Sequence, residues 1–358
     1  MFGFGRKNTP LLGIDISSTA IKLIELSCKA GNSNSPSMSY RVERFAIEPL
    51  PFNAVLEKKI ADPEMVGQCI RKAVIKAGTK TKRAAVAVAG AMAITKVISL
   101  SASFNDAEIE NQIQLEADQY ITHPLEEVNL DFDVIGPTPN NPAMVDVLLA
   151  ASRRENVDDR VAALEIAGLT ASIVDIEVYA MENAISLLLN DANRTTDSPI
   201  AVVDIGSANT TLYVFNKGQI IYTREQNFGG QHLKDDLQRR FGISREEATQ
   251  KILNNDFSTT PEVEALENFK DSLSQQINRA LQFFYSGTTF NHVERVILAG
   301  GSAGLSRLDA VVEERLKLPI SIANPFQHMS LSPQVNAKDL LCEAPSLMVA
   351  VGLALRGF

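Results

Sequence analysis

Leu11-Leu-Gly-Ile-Asp15-Ile-Ser-Ser-Thr-Ala-Ile-Lys-Leu-Ile-Glu-Leu26 runs an apolar stretch into an aspartate, crosses small hydroxyl residues, and returns as a second apolar stretch. That order predicts a β-hairpin with a polar tip. The same order returns in Ile200-Ala-Val-Val-Asp204-Ile-Gly-Ser-Ala-Asn-Thr-Thr-Leu-Tyr-Val-Phe215. With Asp204 laid on Asp15, Ile205, Ser207 and Leu212 fall on Ile16, Ser18 and Leu23. The chain therefore carries an internal duplication of a strand, an acidic tip and a returning strand. Small tip residues let successive backbone N–H groups converge on one concavity, which suits phosphate oxygens. An aspartate beside such a nest repels bare phosphate, but is favourable if Mg²⁺ lies between, held by one or two carboxylates largely through retained waters. Two facing hairpins of this kind would grip the triphosphate and metal of a nucleotide from opposite sides. The candidates are Asp15, Ser17, Ser18, Thr19 and Lys22 in the first hairpin, and Asp204, Gly206, Ser207, Asn209 and Thr210 in the second. Asp15 and Asp204 are the Mg²⁺ candidates, through water. A single such tip is also a common structural turn; the duplicate favours the ligand reading.

A third element, Glu294-Arg-Val-Ile-Leu-Ala-Gly300-Gly301-Ser302, is an apolar strand entering a glycine turn, where a ligand can approach the backbone closely. It imitates a dinucleotide fingerprint, but comes late in the chain and lacks the acidic residue about 20 positions on. No GxxxxGK[ST] loop occurs, which removes the Walker-type ATPases. Ala180 and Ala184, and again Ser346, Ala350 and Ala354, recur at a spacing of four residues, so each segment offers a ridge of small side chains for a close helix crossing.

Around these elements the pattern is α/β. Tyr40 onward extends the first hairpin to three antiparallel strands. Asp62-Pro63-Glu64 starts a helix, with Asp as cap and Pro at the first position, and Gly78 ends it. Asn105 and Glu108 form a capping box for a helix over 106–120. Strands at 128–135, 144–152 and 171–176 and a helix at 156–167 place an inserted α+β subdomain at 91–173. The expected division is 1–90 with 174–198 and 331–358 as the core of lobe I, 199–225 with 291–330 as the core of lobe II, and 226–290 as a helical insert in lobe II. Arg71, Lys72, Lys76, Lys80, Lys82 and Arg83 form a basic cluster that reads as a solvated helix end.

The 358 residues carry 34 Lys and Arg against 43 Asp and Glu, a net charge of −9, so no overall positive field holds nucleic acid or anionic lipid. Three cysteines without a CxxC support neither a disulfide framework nor a zinc knuckle. The four histidines show no metal-ligand spacing and read as structural. No apolar run reaches the 18 residues a spanning helix needs, and the opening residues lack the apolar core of a secretory signal. The expectation is a soluble, intracellular protein.

The order of phosphate hairpin, insert, linking helix, second hairpin, glycine turn and final helix resembles the actin, Hsp70 and sugar-kinase superfamily. Within it, Gly13-Ile-Asp-Ile-Ser-Ser18, Leu115-Glu-Ala-Asp-Gln-Tyr-Ile-Thr-His-Pro-Leu-Glu-Glu-Val-Asn-Leu-Asp-Phe132, Asn227-Phe-Gly-Gly230, Leu281-Gln-Phe-Phe284, Leu298-Ala-Gly-Gly-Ser302, Ala323-Asn-Pro-Phe326 and the segment 349–356 resemble the actin-like type IV pilus assembly family PilM, related to FtsA. The resemblance implies an actin-like ATPase fold of duplicated ribonuclease H-like lobes with an inserted α+β subdomain. It also implies ATP with Mg²⁺ as cofactors and Gly229, Gly230, Lys251, Gly300, Gly301 and Ser302 as further nucleotide-binding positions. Glu177, at the start of the linking helix, is the positional candidate to orient water, and equally a partner of the helix dipole. The implied partner is the N-terminal cytoplasmic tail of the inner-membrane protein PilN, docked in a groove involving the insert, with the chain on the cytoplasmic face of the membrane through that partner alone. Contacts with pilus motor ATPases and the platform protein, and self-association, extend the same resemblance. Two other readings stay open on the residues: a small-molecule kinase on the same fold, and a peptide-binding adaptor that ignores nucleotide.

Overall fold

The computed structural model describes residues 10–29, 39–121, 123–189 and 198–358. The expectations for the opening segment, the polar loop at 31–39 and the linker at 190–198 lie almost wholly outside the described residues. Strands β1 (Leu12–Ile16), β2 (Ala20–Lys29) and β3 (Ser39–Pro49) open the chain, followed by a small hairpin, β4 (Val55–Leu56) and β5 (Lys59–Ile60). Helix α1 (Pro63–Ala77) leads to β6 (Arg83–Val88) and β7 (Ala93–Ser101). Then come α2 (Asp106–Glu116), β8 (Val128–Thr138), β9 (Asn141–Arg153), α3 (Arg154–Ile166), β10 (Thr170–Ile176) and α4 (Glu177–Leu188). The second half runs β11 (Ile200–Ile205), β12 (Thr210–Asn216), β13 (Gln219–Gln226), α5 (Gly230–Phe241), α6 (Arg245–Leu253), α7 (Thr260–Gly287) and β14 (Val296–Ala299). It closes with α8 (Leu308–Leu316), β15 (Ile320–Ile322), β16 (Ser330–Leu331), α9 (Ala337–Glu343) and α10 (Met348–Leu355).

The duplication seen in the hairpins extends over five strands. One sheet is ordered β10-β6-β1-β2-β3-β16 and the other β15-β14-β11-β12-β13. In each, an antiparallel meander has two parallel strands added beside its first strand. The registers place Asp15 opposite Lys22 and Asp204 opposite Thr211, so each aspartate stands one residue from the end of its strand. The third strand of the second meander, β13, enters through Lys217 and Gly218, both with positive φ.

Local chemistry explains the helices. The Asp62 carboxylate accepts the Met65 N–H at 2.9 Å, and Gly78 closes α1 in the left-handed conformation. Asn105 and Glu108 form the reciprocal capping box, and the helix they start ends at Glu116 before a single 3₁₀ turn over 117–119. In lobe II, Phe269, Leu273, Ile277 and Phe284 of α7 join Val203, Leu212 and Val296 of the sheet in one buried cluster, so the helical insert and the lobe II sheet share a core.

One boundary moves. Sequence grouping gave 154–173 to the insert, but β10 pairs parallel with β6 over its whole length, and Ala163 and Leu164 of α3 are buried with Ile70, Ala73 and Val74 of α1. The insert is the three-stranded sheet β7-β9-β8 with α2 packed on it, and the chain rejoins lobe I at α3. Its period-2 strands resemble any others in sequence; only the partner strand decides which sheet owns them.

Helices α4 and α10 cross at the base of the two lobes, and the contact is closer than the alanine ridges require. A Cβ on Gly352 would overlap the Ala180 carbonyl, and one on Gly13 in β1 would overlap the Ala350 carbonyl and lie 2.5 Å from the Ala354 nitrogen. Arg356, just past α10, pairs with buried Asp175 at the end of β10 at 3.0 Å.

Candidate functional site

The tips of the two meanders approach each other: Lys58 of lobe I reaches Glu225 on the second meander, and Lys22 of lobe I feels Asp204 of lobe II. Asp15 is 7% exposed, and the Lys22 ammonium on the neighbouring strand donates to its Oδ2 at 3.0 Å. Burial alone draws the Lys22 pKa down, but Asp15, Asp204 and Glu177 overrule it, and the ammonium is held above its ordinary value. Lys22 in lobe I therefore feels the lobe II aspartate. Burial raises the Asp204 carboxyl, with Asp15 and Glu225 adding to the rise and Lys22 and Lys58 opposing it. Burial also raises Glu177, which Lys58 and Arg160 pull back and Asp15 and Asp204 push up. Four carboxylates (Asp15, Glu177, Asp204, Glu225) thus share a field with two ammonium groups, Lys22 and Lys58.

This donor set fits Mg²⁺ held through water. The groups are hard oxygens drawn from both lobes, the four carboxylates outnumber the two ammonium groups, and Glu177 and Glu225 share one of those, Lys58. Among the described residues no three His, Cys, Asp or Glu side chains converge closely enough to chelate a metal directly.

The remaining candidates divide by what their polar atoms already do. Ser17 donates its hydroxyl to the Ala20 carbonyl at 2.8 Å and accepts the Ala20 N–H, so it closes its own turn. Ser18 and Thr19 are exposed at the first tip, and Ser207 is half-buried at the second. The Thr210 hydroxyl donates to the Phe228 carbonyl at 2.6 Å, and Asn209 donates to Glu225. Gly206 is the hub of the second tip. Its N–H donates to the Asn209 carbonyl, while its own carbonyl accepts from the Gly230 N–H at 3.0 Å and the Ser302 hydroxyl at 3.4 Å.

Gly229 and Gly230 therefore serve chain-to-chain approach in this structure, since a Cβ on Gly229 would lie 2.5 Å from the Ser207 carbonyl. Gly300 is similar: its φ is 90°, and a Cβ there would collide with the Asp204 carboxylate and the Ile205 backbone. It seats the glycine turn directly against the second aspartate, whereas Gly301 has open space around its Cβ position. Lys251 is engaged elsewhere, 2.8 Å from Glu262 in a pair that ties α6 to the start of α7. The Lys251 ammonium and the Thr259 backbone amide hold the Glu262 carboxyl down at about 2. Lys251→Ala is expected to lower stability and to leave nucleotide affinity unchanged, read by urea melts and calorimetric titration.

Sequence reasoning missed Lys58 and Glu225. Lys58 lies in the turn of a six-residue hairpin too short for a periodic signal, whereas the turn sequence Asn216-Lys-Gly218 could have announced β13 and with it Glu225.

The raised carboxylates give a pH dependence. An acid whose folded pKa exceeds its unfolded value destabilises the native state once ionised, so its cost grows as pH rises through the ordinary value, 3.8 for Asp204, and is constant above the folded value. Asp204→Asn should therefore gain stability relative to wild type as pH climbs from about 4 towards neutrality without ligand. Urea melts of both chains across that range check the sign.

The family model described as Type IV pilus assembly protein PilM matches residues 13–358. Among solved structures, the chain is 25% identical to the "PilM-PilN type IV pilus biogenesis complex" over 98% of this chain and 99% of that one, with a TM-score of 0.79. It is 16% identical to the ethanolamine utilization protein EutJ from Carboxydothermus hydrogenoformans over 97% and 89%, with a TM-score of 0.55, a likeness of fold. With duplicated meanders closing on one acidic cleft and the match spanning both lobes and the insert, the chain has the actin-like ATPase fold and belongs to the type IV pilus assembly protein PilM family.

Proposed function

We propose that the chain is an assembly scaffold of the type IV pilus that binds Mg-ATP between its lobes and docks the cytoplasmic N-terminal peptide of a PilN-type inner-membrane protein. The observation that carries the nucleotide half is the repeated meander that sets Asp15 and Asp204 one residue from the ends of β1 and β11, with Lys22 on Asp15 and the Gly300 turn packed against the Asp204 carboxylate. Asp15 and Asp204 would hold the metal's water shell, and the exposed Ser18 and Thr19 with the half-buried Ser207 would meet the phosphates. The metal, when bound, offsets the negative charge of phosphates and carboxylates alike. Glu177, at the first position of α4 and half-buried beside Lys58, would accept a proton from water and hold it in orientation.

The peptide half rests on the relative whose solved complex contains PilN and on a cavity of about 300 Å³ between the insert and lobe I. Met92, Ile94 and Val128 give it apolar wall, and His123, Arg153 and Asn156 give it polar contacts, the mixture that suits an extended peptide. No helix among the described residues is long and apolar enough to cross a membrane; attachment to the inner membrane then runs through the partner.

Calorimetric titration of a PilN-type N-terminal peptide, with and without Mg-ATP, tests the whole reading. Reciprocal linkage predicts an affinity change of about fivefold or more if nucleotide governs docking. Equal affinities would leave the chain a peptide adaptor without nucleotide control, and no binding in either condition removes the scaffold reading.

A further inference from the structure

Between β3 and α1 the chain folds back in the β4–β5 hairpin, whose turn residues Glu57 and Lys58 have φ of 47° and 67°. Both lie in the left-handed region, and neither is the Asn or Gly that such a turn favours. Outliers of this kind persist where the surroundings hold them, and they gather at working sites. Here the surroundings are specific. Buried Arg160 donates to the Lys58 carbonyl at 3.2 Å while anchored on the carbonyls of Ala87 and Asn156. The Lys58 ammonium lies 3.7 Å from Glu177 in lobe I and 2.5 Å from Glu225 in lobe II. A few residues earlier, Phe52 sits beneath the guanidinium of Arg245, 4.1 Å from its ring centroid, and Arg245 opens α6 of lobe II.

One short stretch of lobe I thus touches lobe II at two separate points. Neither contact is required by the cores, since Phe52, Lys58, Glu225 and Arg245 all stand outside the buried clusters of both lobes. The lobe II partner of Lys58 is also wired to the site: Glu225 accepts from Asn209 at the tip of the second hairpin. Contacts between lobes that are charged, partly solvated and outside any core are the kind that break and re-form without unfolding.

We infer that residues 52–60 form a clasp across the cleft, in which Lys58 on Glu225 and Phe52 beneath Arg245 hold the lobes together and set the rate at which bound nucleotide leaves. Control of release rests on the nucleotide reading; the closing contact does not.

Spin labels at Arg71 on α1 and Glu314 on α8, in the full chain carrying Cys28→Ser and Cys342→Ser, report the interlobe distance by pulsed dipolar spectroscopy without any nucleotide. Wild type should show one narrow distribution. Glu225→Gln and Phe52→Ala should each add a longer-distance population, and the double variant should make it dominant. A distribution in the double variant that matches wild type overturns the clasp. Release of methylanthraniloyl-ATP with Mg²⁺, followed by stopped flow, should be faster by about fivefold or more in the double variant. Distances that shift while release rates agree within about twofold overturn the control of exchange. Failure of wild type to bind the analogue, with the distance shift intact, removes the nucleotide reading and leaves the clasp standing.

Discussion

At a concentration one hundredfold above its dissociation constant, Mg-ATP should raise the unfolding free energy of the wild-type chain by about 2.7 kcal/mol, and Asp204→Asn should forfeit most of that gain. The reason lies in the cleft's charge balance. Burial disfavours the ionised form of Asp204, with Asp15 and Glu225 of the same sign nearby and Lys22 and Lys58 offsetting them only in part, so its charge is most useful when a metal ion joins the site. The variant should therefore be at least as stable as wild type without ligand and less stable with it. That crossing of sign separates a metal-ligand carboxylate from a structural one, for which both conditions lose stability. Asp15→Asn should lose the same ligand response, but it also unpairs the Lys22 ammonium, so its ligand-free stability should fall by about 1–3 kcal/mol. Denaturant midpoints with and without Mg-ATP read both outcomes, and an unchanged Mg-ATP response in Asp204→Asn would overturn the assignment.

The largest structural effect is expected at the helix crossing. Gly352→Val places a branched side chain where Ala180 backbone already stands, and the backbone of a packed helix cannot move aside as a flexible side chain would. The crossing has to open, which costs about 3 kcal/mol or more. Gly301→Ala, with open space at its Cβ position and no positive φ, is the control and should change stability by less than about 0.5 kcal/mol. Because α10 also lies on β1 through Gly13, and β1 carries Asp15, opening the crossing should weaken Mg-ATP binding as well as the fold. A Gly352→Val chain as stable as wild type would mean that the lobes do not rely on this crossing.

Much of this was legible before any coordinates. The hairpins around Asp15 and Asp204 announce themselves because an acidic tip between two apolar runs is a local pattern, and its repetition is visible by alignment of the chain on itself. The α1 and α2 starts were equally plain, since capping side chains act within three residues of the groups they satisfy. What depends on distant partners was not. Membership of β10 and α3 in lobe I rests on pairing with β6 and packing on α1. The occupation of the Thr210 hydroxyl and the Gly230 N–H by neighbouring backbone depends on how α5 lies over the second tip. Lys251 keeps helical spacing in either reading, and only the position of Glu262 decides its role.

The path of the chain between the lobes has a consequence for how the molecule is made. Lobe II is one uninterrupted stretch, from β11 through β15, whereas lobe I takes its last strand, β16 against β3, and its covering helix α10 from residues synthesised after all of lobe II. Its closing pairs are separated by nearly the whole sequence, and such contacts form late because a long loop must be closed before they return any stability. A recombinant segment confined to lobe II would leave one face of its sheet bare, because Met181, Ala184 and Ile185 of α4 and Met348 of α10 bury Ile200, Val202 and Phe215 there, while lobe I waits for the residues that finish it.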